Sequence, residues 1–145
     1  MNFAKSDFIN KNISQYFGFE PVVRYISVWL DRPNPINDES IYTQKFHRDH
    51  DDVKLVKVFY YLNDVGINNG PFQFIPNSHK HPWLEREKYN NINYFSAESE
   101  EGSLVVADTN GFHRGLKLKK GYRVLLSVSY SSLFPSVGFR KNVFN

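Results

Sequence analysis

Residues 122–130 alternate between two kinds of side chain with a period of two. One face is entirely aromatic or aliphatic and carries Tyr122, Val124, Leu126, Val128 and Tyr130. Successive side chains of a β-strand point to opposite faces, so this pattern predicts a strand with one apolar face. The other face is mixed and includes Arg123. This arginine either lies exposed on an outer sheet face or is paired inside a cavity, because burying an unpaired arginine is costly.

Five other segments are also rich in β-branched and aromatic residues and are bounded by turn or loop signals; they span residues 21–30, 41–49, 53–62, 72–75 and 102–107. Residues 3–18 have the apolar spacing of a short amphipathic helix, which Gly18 would end. Residues 80–101 are polar and rich in Asn and Glu, which predicts a partial helix and a long loop. Several short strands without a βαβ rhythm indicate an all-β sandwich or barrel.

The length and composition limit the protein classes that remain possible. The chain has 145 residues, so we expect a single domain spanning 1–145 with a real core. Hydrophobic residues make up 41% and charged residues 23%, which excludes a disordered chain. The absence of cysteine excludes disulfides, zinc-thiolate sites and thiol nucleophiles. The net charge of +3 is mild, and the basic cluster at 117–123 contains a single aromatic residue, so no nucleic-acid partner is expected.

The chain shows no targeting or membrane signal. Its N-terminus lacks the apolar run of a signal peptide, and no segment approaches the roughly 18 consecutive apolar residues of a membrane span. We therefore expect a soluble, cytoplasmic protein without a membrane partner. The sequence leaves the oligomeric state open.

Two histidines and an aspartate have the composition of a metal site. His47 and Asp49 are two residues apart, so in an extended strand both side chains point the same way. A nitrogen from His113 would complete two imidazoles and one carboxylate. Non-haem Fe(II) oxygenases use this set, which leaves positions open for a co-substrate and O2. Arg123 would then be available to hold an anionic co-substrate by a bidentate carboxylate pair.

Three segments, in this order, carry a resemblance to a known family: Gln44-x-x-His47-x-Asp49, the stretch from Asn69-Gly70-Pro71 to Ser78-His79, and His113 ten residues before Arg123. With them, residues 40–131 resemble the phytanoyl-CoA dioxygenase family and are similar also to its ectoine hydroxylase branch. One departure is Asn77, which replaces the glycine of the family's Pro-Gly-Ser-His segment. Asparagine also tolerates a left-handed backbone, so the turn there is expected to be kept.

The resemblance implies a double-stranded β-helix, a cupin-like jelly roll, to which the segments described above add a short N-terminal helix and a long loop. It implies that His47, Asp49 and His113 bind Fe(II), and that Arg123 pairs with the distal carboxylate of 2-oxoglutarate. The implied activity is a 2-oxoglutarate-dependent dioxygenase that uses O2, hydroxylates a small organic substrate and forms succinate and CO2.

Further residues are candidates for the co-substrate pocket. Phe59 falls where many relatives place an aromatic residue beside the co-substrate, although packing in the core is the alternative. Gln44 and Tyr42 line the pocket or pack across strands. Lys57 is either a second anion anchor or a side chain that snorkels outward.

Two other functions stay open. A jelly-roll binding module of the same family would keep the pocket without turnover, and the short N-terminal part of the chain favours it. A cupin-like metal enzyme that does not use 2-oxoglutarate would leave Arg123 without a role. Asp49 argues against a halogenase, because that reaction needs a small residue in place of the carboxylate ligand.

Overall fold

The computed structural model describes residues 6–34, 40, 42–81, 85 and 93–134. Within these residues one α-helix and seven β-strands follow one another as α1 (Asp7–Phe17), β1 (Val22–Asp31), β2 (Leu55–Tyr61), β3 (Phe72–Phe74), β4 (Phe95–Ala97), β5 (Leu104–Asp108), β6 (His113–Gly115) and β7 (Arg123–Ser131). Short 3-10 helices occur at Tyr42–Gln44, Ile67–Asn69 and Ser78–Lys80. No helix of the described segments has the length and apolar character needed to cross a membrane.

The strands form two antiparallel sheets. The first sheet has the order β1-β7-β2-β5, and the second has the order β4-β3-β6. An isolated antiparallel bridge between His47 and His113 extends the second sheet beyond β6. Strands that are distant in sequence therefore lie side by side, as in a double-stranded β-helix. The all-β jelly roll expected from the sequence is confirmed.

Helix α1 covers the outer face of the first sheet. Ile9, Ile13 and Phe17 recur every four residues and are buried against valines of β2 and β7. Gly18 ends the helix in a left-handed conformation with φ 80°, and its N–H donates to the carbonyl of Ser14. The predicted helix and its terminating glycine are both confirmed.

Tyr61 joins the two sheets from within the core. Its side chain is fully buried, and its hydroxyl donates to the carbonyl of Ala97 on β4 at 3.0 Å. The same hydroxyl accepts the backbone N–H of Phe72 on β3 at 3.1 Å. One phenol thus satisfies two buried backbone groups of the second sheet from a strand of the first.

The strand predicted for residues 41–49 does not form. Residues Tyr42–Gln44 are a 3-10 helix, and the positive φ of 42° at Tyr42 interrupts an extended backbone. Pairing with distant backbone is kept at His47, whose N–H donates to the His113 carbonyl at 3.0 Å, and at Asp49, whose N–H donates to the Thr109 carbonyl at 2.9 Å.

Two short strands were not expected from the sequence. β4 lies inside the predicted loop at 80–101, and β6 lies outside every segment predicted to be a strand. Each has three residues and is defined by its pairing with β3. The rest of the predicted loop and partial helix includes residues 82–84 and 86–92, which lie outside the described residues.

Candidate metal centre

His47, Asp49 and His113 converge although they are distant in sequence. One ligand atom from each lies within 4.8 Å of the other two. His47 Nε2 is 3.9 Å from Asp49 Oδ1, and His113 Nε2 is 3.7 Å from Asp49 Oδ2. The structure therefore brings together the three residues that the sequence singles out as candidate ligands.

The backbone around the cluster explains this convergence. His47 and His113 face each other across the isolated bridge, and the centroids of their rings lie 4.3 Å apart. The hydrogen bond from the Asp49 N–H to Thr109 then holds the carboxylate beside both rings. The cluster thus depends on paired backbone, although the regular strand predicted for His47 and Asp49 is missing.

Both imidazoles are held in the tautomer that suits a metal ligand. His47 Nδ1 lies 2.9 Å from the Lys45 carbonyl oxygen, and His113 Nδ1 lies 2.9 Å from that of Gly111. A carbonyl oxygen can only accept, so in each of these hydrogen bonds Nδ1 carries the proton. The lone pair of the neutral ring is then on Nε2, which faces Asp49. Metal-binding histidines commonly donate their other N–H to a carbonyl in this way.

The protonation states fit a cation as well. Burial lowers the pKa of His113 to about 4, against the opposing effect of Asp49, so its ring is neutral near pH 7. Burial would raise the pKa of Asp49, but nearby His113 and Lys57 outweigh it and hold that pKa below its ordinary value. The cluster therefore offers a neutral buried imidazole and an ionised carboxylate.

Lys57 already places a positive charge at this cluster. Its Nζ is 2.7 Å from Asp49 Oδ2, and both side chains are largely buried. Burial would lower the pKa of Lys57, but the ion pair with Asp49 raises it above its ordinary value. The side chain thus lies inside the site and does not snorkel outward. A cation bound at Asp49 Oδ2 would either share that oxygen with the Lys57 ammonium group or displace the ammonium group.

Arg123 is buried and fully engaged with other parts of the fold. Its Nε and Nη2 donate to Asp31 Oδ2 at 3.1 and 2.7 Å, and its Nη1 donates to the carbonyl of Gly70. Asp31 on β1 is the register partner of Arg123 on β7. The mixed face of the predicted strand is therefore the inner face, and its arginine is paired.

One cavity of about 230 Å³ contains the candidate ligands together with Arg123, Lys57 and Phe59. Tyr42 is 88% exposed, and neither it nor Gln44 lines this cavity, whereas the adjacent Thr43 does. Asp31 and Trp29 of β1 also line it and were not predicted. The sequence did contain a signal for Asp31, because it is an acidic residue directly after a predicted apolar strand. A buried arginine in the same fold needs such an acidic partner.

A larger cavity of about 590 Å³ lies between α1, β5 and the second sheet. Its lining is mainly apolar, and it contains none of the three candidate ligands. It touches the smaller cavity only through Phe72, which lines both. The smaller cavity is therefore the candidate site despite its size.

Comparison with known proteins gives one family match. The sequence profile described as Phytanoyl-CoA dioxygenase (PhyH) matches residues 34–118. No curated protein sequence matches the chain.

Three solved structures illustrate the similarity in fold. AviO1 from Streptomyces viridochromogenes Tue57 is 18% identical with a TM-score of 0.69, and the match covers 90% of this chain and 60% of that one. The epimerase SnoN, in complex with Fe3+, alpha-ketoglutarate and nogalamycin RO, is 17% identical with a TM-score of 0.73. The match covers 94% of this chain and 60% of SnoN. HygX from Streptomyces hygroscopicus, with nickel and 2-oxoglutarate bound, is 13% identical with a TM-score of 0.70, covering 91% and 64%. The chain thus spans less than two thirds of each of these proteins.

Proposed function

Because the chain belongs to the phytanoyl-CoA dioxygenase family, we propose that it is an Fe(II)- and 2-oxoglutarate-dependent dioxygenase. The observation that carries this proposal is the cluster of His47, Asp49 and His113. Two imidazoles and one carboxylate on one side of an iron ion leave positions for a co-substrate and O2. When bound, Fe(II) would use O2 to oxidise both 2-oxoglutarate, to succinate and CO2, and a C–H bond of the substrate.

The chain's own residues hold and orient these groups. His47 and His113 would each present Nε2, with Nδ1–H fixed on a carbonyl oxygen, and Asp49 would present a carboxylate oxygen. Arg123 would hold the distal carboxylate of 2-oxoglutarate, since it lines the same cavity as the three ligands. Phe59 would cover the co-substrate from the sheet face, where it packs 4.9 Å from Phe72 and keeps water away.

Further support comes from the similar structures and the sequence. SnoN holds Fe3+ and alpha-ketoglutarate, and HygX holds nickel and 2-oxoglutarate. The resemblance to the ectoine hydroxylase branch points to hydroxylation of a small organic molecule. A cavity of about 230 Å³ limits any ligand to a small molecule, and the sequence contains no basic stretch with interleaved aromatic residues that would suit a nucleic acid. We place this activity in the cytoplasm.

The test is an anaerobic titration of the protein with Fe(II) and 2-oxoglutarate, followed by the visible charge-transfer band of the iron chelate. We expect the band in wild type and its loss in Asp49→Ala. The matched control is Asp51→Ala, because Asp51 is an exposed acidic residue two positions further on. If wild type gives no band, the proposed function is wrong.

The second candidate is a jelly-roll binding module without turnover. The ion pair between Lys57 and Asp49 favours it, because an ammonium group already neutralises the carboxylate that a metal needs. Succinate release in air, with Fe(II) and 2-oxoglutarate supplied, separates the two candidates. A folded protein that forms no succinate, with or without candidate substrates, is the binding module, whether or not it gives the charge-transfer band. Oxidation that continues without 2-oxoglutarate would instead indicate the cupin-like enzyme.

A further inference from the structure

The arginine expected to bind 2-oxoglutarate already has a carboxylate partner. Asp31 lies directly opposite Arg123 in the β1–β7 register, and its Oδ2 accepts from both Nε and Nη2. The Arg123 side chain is 10% exposed, whereas that of Asp31 is 35% exposed. The two residues line the cavity that contains the candidate metal ligands. An anion that enters this cavity therefore meets an arginine that is already paired.

The guanidinium offers no second edge for a carboxylate. A carboxylate can pair bidentately with arginine either along the Nε/Nη2 edge or across the Nη1/Nη2 fork. A Cβ at Gly115 would lie 2.9 Å from Nη2 and 3.2 Å from Nη1, so the fork is packed against β6 without room even for a methyl group. Nη1 also donates to the Gly70 carbonyl. The remaining edge is the one that Asp31 occupies.

We propose that Asp31 is a resident carboxylate that competes with the distal carboxylate of 2-oxoglutarate for Arg123. This inference rests on the proposed function, because it takes Arg123 as the co-substrate anchor. Among the described residues β1 is an edge strand, and Asp31 is about one third exposed, so its carboxylate can turn from Arg123 into solvent. Arg123 is held in place meanwhile by Gly70 and Gly115. Asp31 thereby sets how much 2-oxoglutarate is needed to fill the site.

The test removes the charge of Asp31 and keeps its shape. Asp31→Asn retains an oxygen that can accept from Arg123, so the arginine keeps a neutral partner on the same side. Calorimetry under anaerobic conditions, with Ni(II)-loaded protein and 2-oxoglutarate, gives the equilibrium affinity without turnover. We expect about fivefold tighter binding in Asp31→Asn, the factor expected for a partly exposed ion pair. Asp31→Thr, a residue that favours strands, should also bind more tightly.

Two controls separate competition from a general effect of charge. Glu20→Gln removes one exposed negative charge elsewhere and should leave the affinity unchanged. In an Arg123→Met background, Asp31→Asn should bring no further gain, because the competition needs the guanidinium. A gain of the same size in that background would overturn the proposal. Thermal unfolding of each variant confirms that it is folded.

The possible results distinguish a failure of the proposed competition from a failure of the proposed function. If Asp31→Asn binds 2-oxoglutarate more weakly than wild type, Asp31 positions Arg123 and the competition is overturned. Equal affinity in the two proteins overturns it as well. If neither wild type nor Asp31→Asn binds 2-oxoglutarate with Ni(II), the proposed function itself fails.

Discussion

Because Gly115 has no Cβ, the guanidinium of Arg123 can lie directly against β6. The Cβ of an alanine there would stand 2.9 Å from Nη2, inside normal contact distance, so the guanidinium would have to move. We expect Gly115→Ala to weaken binding of 2-oxoglutarate by about tenfold, equivalent to one charged hydrogen bond. Binding of Ni(II) alone should be unchanged, because the candidate ligands are not displaced. Calorimetry measures the two affinities separately.

A second glycine serves as the control for that change. A Cβ at Gly66 would have only Asn69 Oδ1 nearby, at 3.8 Å, which is an ordinary contact. Gly66→Ala should therefore leave both affinities as in wild type. An unchanged affinity for 2-oxoglutarate in Gly115→Ala would contradict the role given to Arg123.

The sequence predicted which three residues come together better than it predicted the groups around them. His47, Asp49 and His113 could be selected because their chemical types and order suit a metal, and these properties are local to each residue. The partners of two charged residues could not be selected in the same way. Arg123 contacts Asp31 because of strand register, and Lys57 contacts Asp49 because the Asp49 N–H is bonded to Thr109. Both contacts depend on pairing between distant segments.

Among the elements, α1 stabilises the first sheet through one face. Ile13 is 3% exposed and packs in the same cluster as Val58 and Val128. Ile13→Ala should lower the free energy of unfolding by about 2–3 kcal/mol, the lower part of the range for such truncations, because the site borders a cavity. Phe8 on the same helix is 74% exposed, so Phe8→Ala should change it by less than about 0.5 kcal/mol. Urea unfolding measures both.

The connection between the sheets depends on the Tyr61 hydroxyl. Tyr61→Phe leaves the buried Phe72 N–H and Ala97 carbonyl without this partner, so we expect a loss of about 1–3 kcal/mol. Chemical denaturation at pH 7 tests this. A change within error would show that water or a neighbouring group replaces the hydroxyl.

The same residue makes the stability of the protein depend on pH in the alkaline range. Burial raises the pKa of Tyr61 above its ordinary value of about 10. The unfolded chain then releases this proton at a lower pH than the folded protein does, so the contribution is present below pH 10 and is lost as pH rises through the folded pKa. The free energy of unfolding should fall less steeply above about pH 10 in Tyr61→Phe than in wild type. Parallel slopes would contradict the shift.

The sequence predicted long elements more successfully than short ones. α1 and β7 have enough residues to show a period, so their positions were confirmed within one or two residues at the strand ends and at the helix C-terminus. β4 and β6 have three residues each and show none. Their conformation comes from pairing with β3, which local sequence does not reveal.

For the whole molecule, a bound metal should join segments that are distant in the chain. The candidate ligands come from the segment at His47–Asp49 and from β6, so an ion that binds all three binds only the folded state. Ni(II) at about 100 times its Kd should stabilise the protein by roughly 2.7 kcal/mol, seen as a higher Tm. His47→Ala should lose most of this gain. Mg(II) at the same concentration should give little, because it prefers oxygen ligands.

The position of β1 at one edge of the first sheet has a consequence for folding. Its only strand partner among the described residues is β7, and Asp31 pairs with a residue 92 positions later. Ribosomes add about 5–20 residues per second, so β1 is synthesised several seconds before β7 exists. During that time the backbone N–H and C=O groups of β1 that pair with β7 have no partner strand. Slower growth at low temperature, or co-expression of chaperones, should therefore change the yield of folded protein. We expect this change to be larger than the change in yield caused by substitutions that alter the final stability.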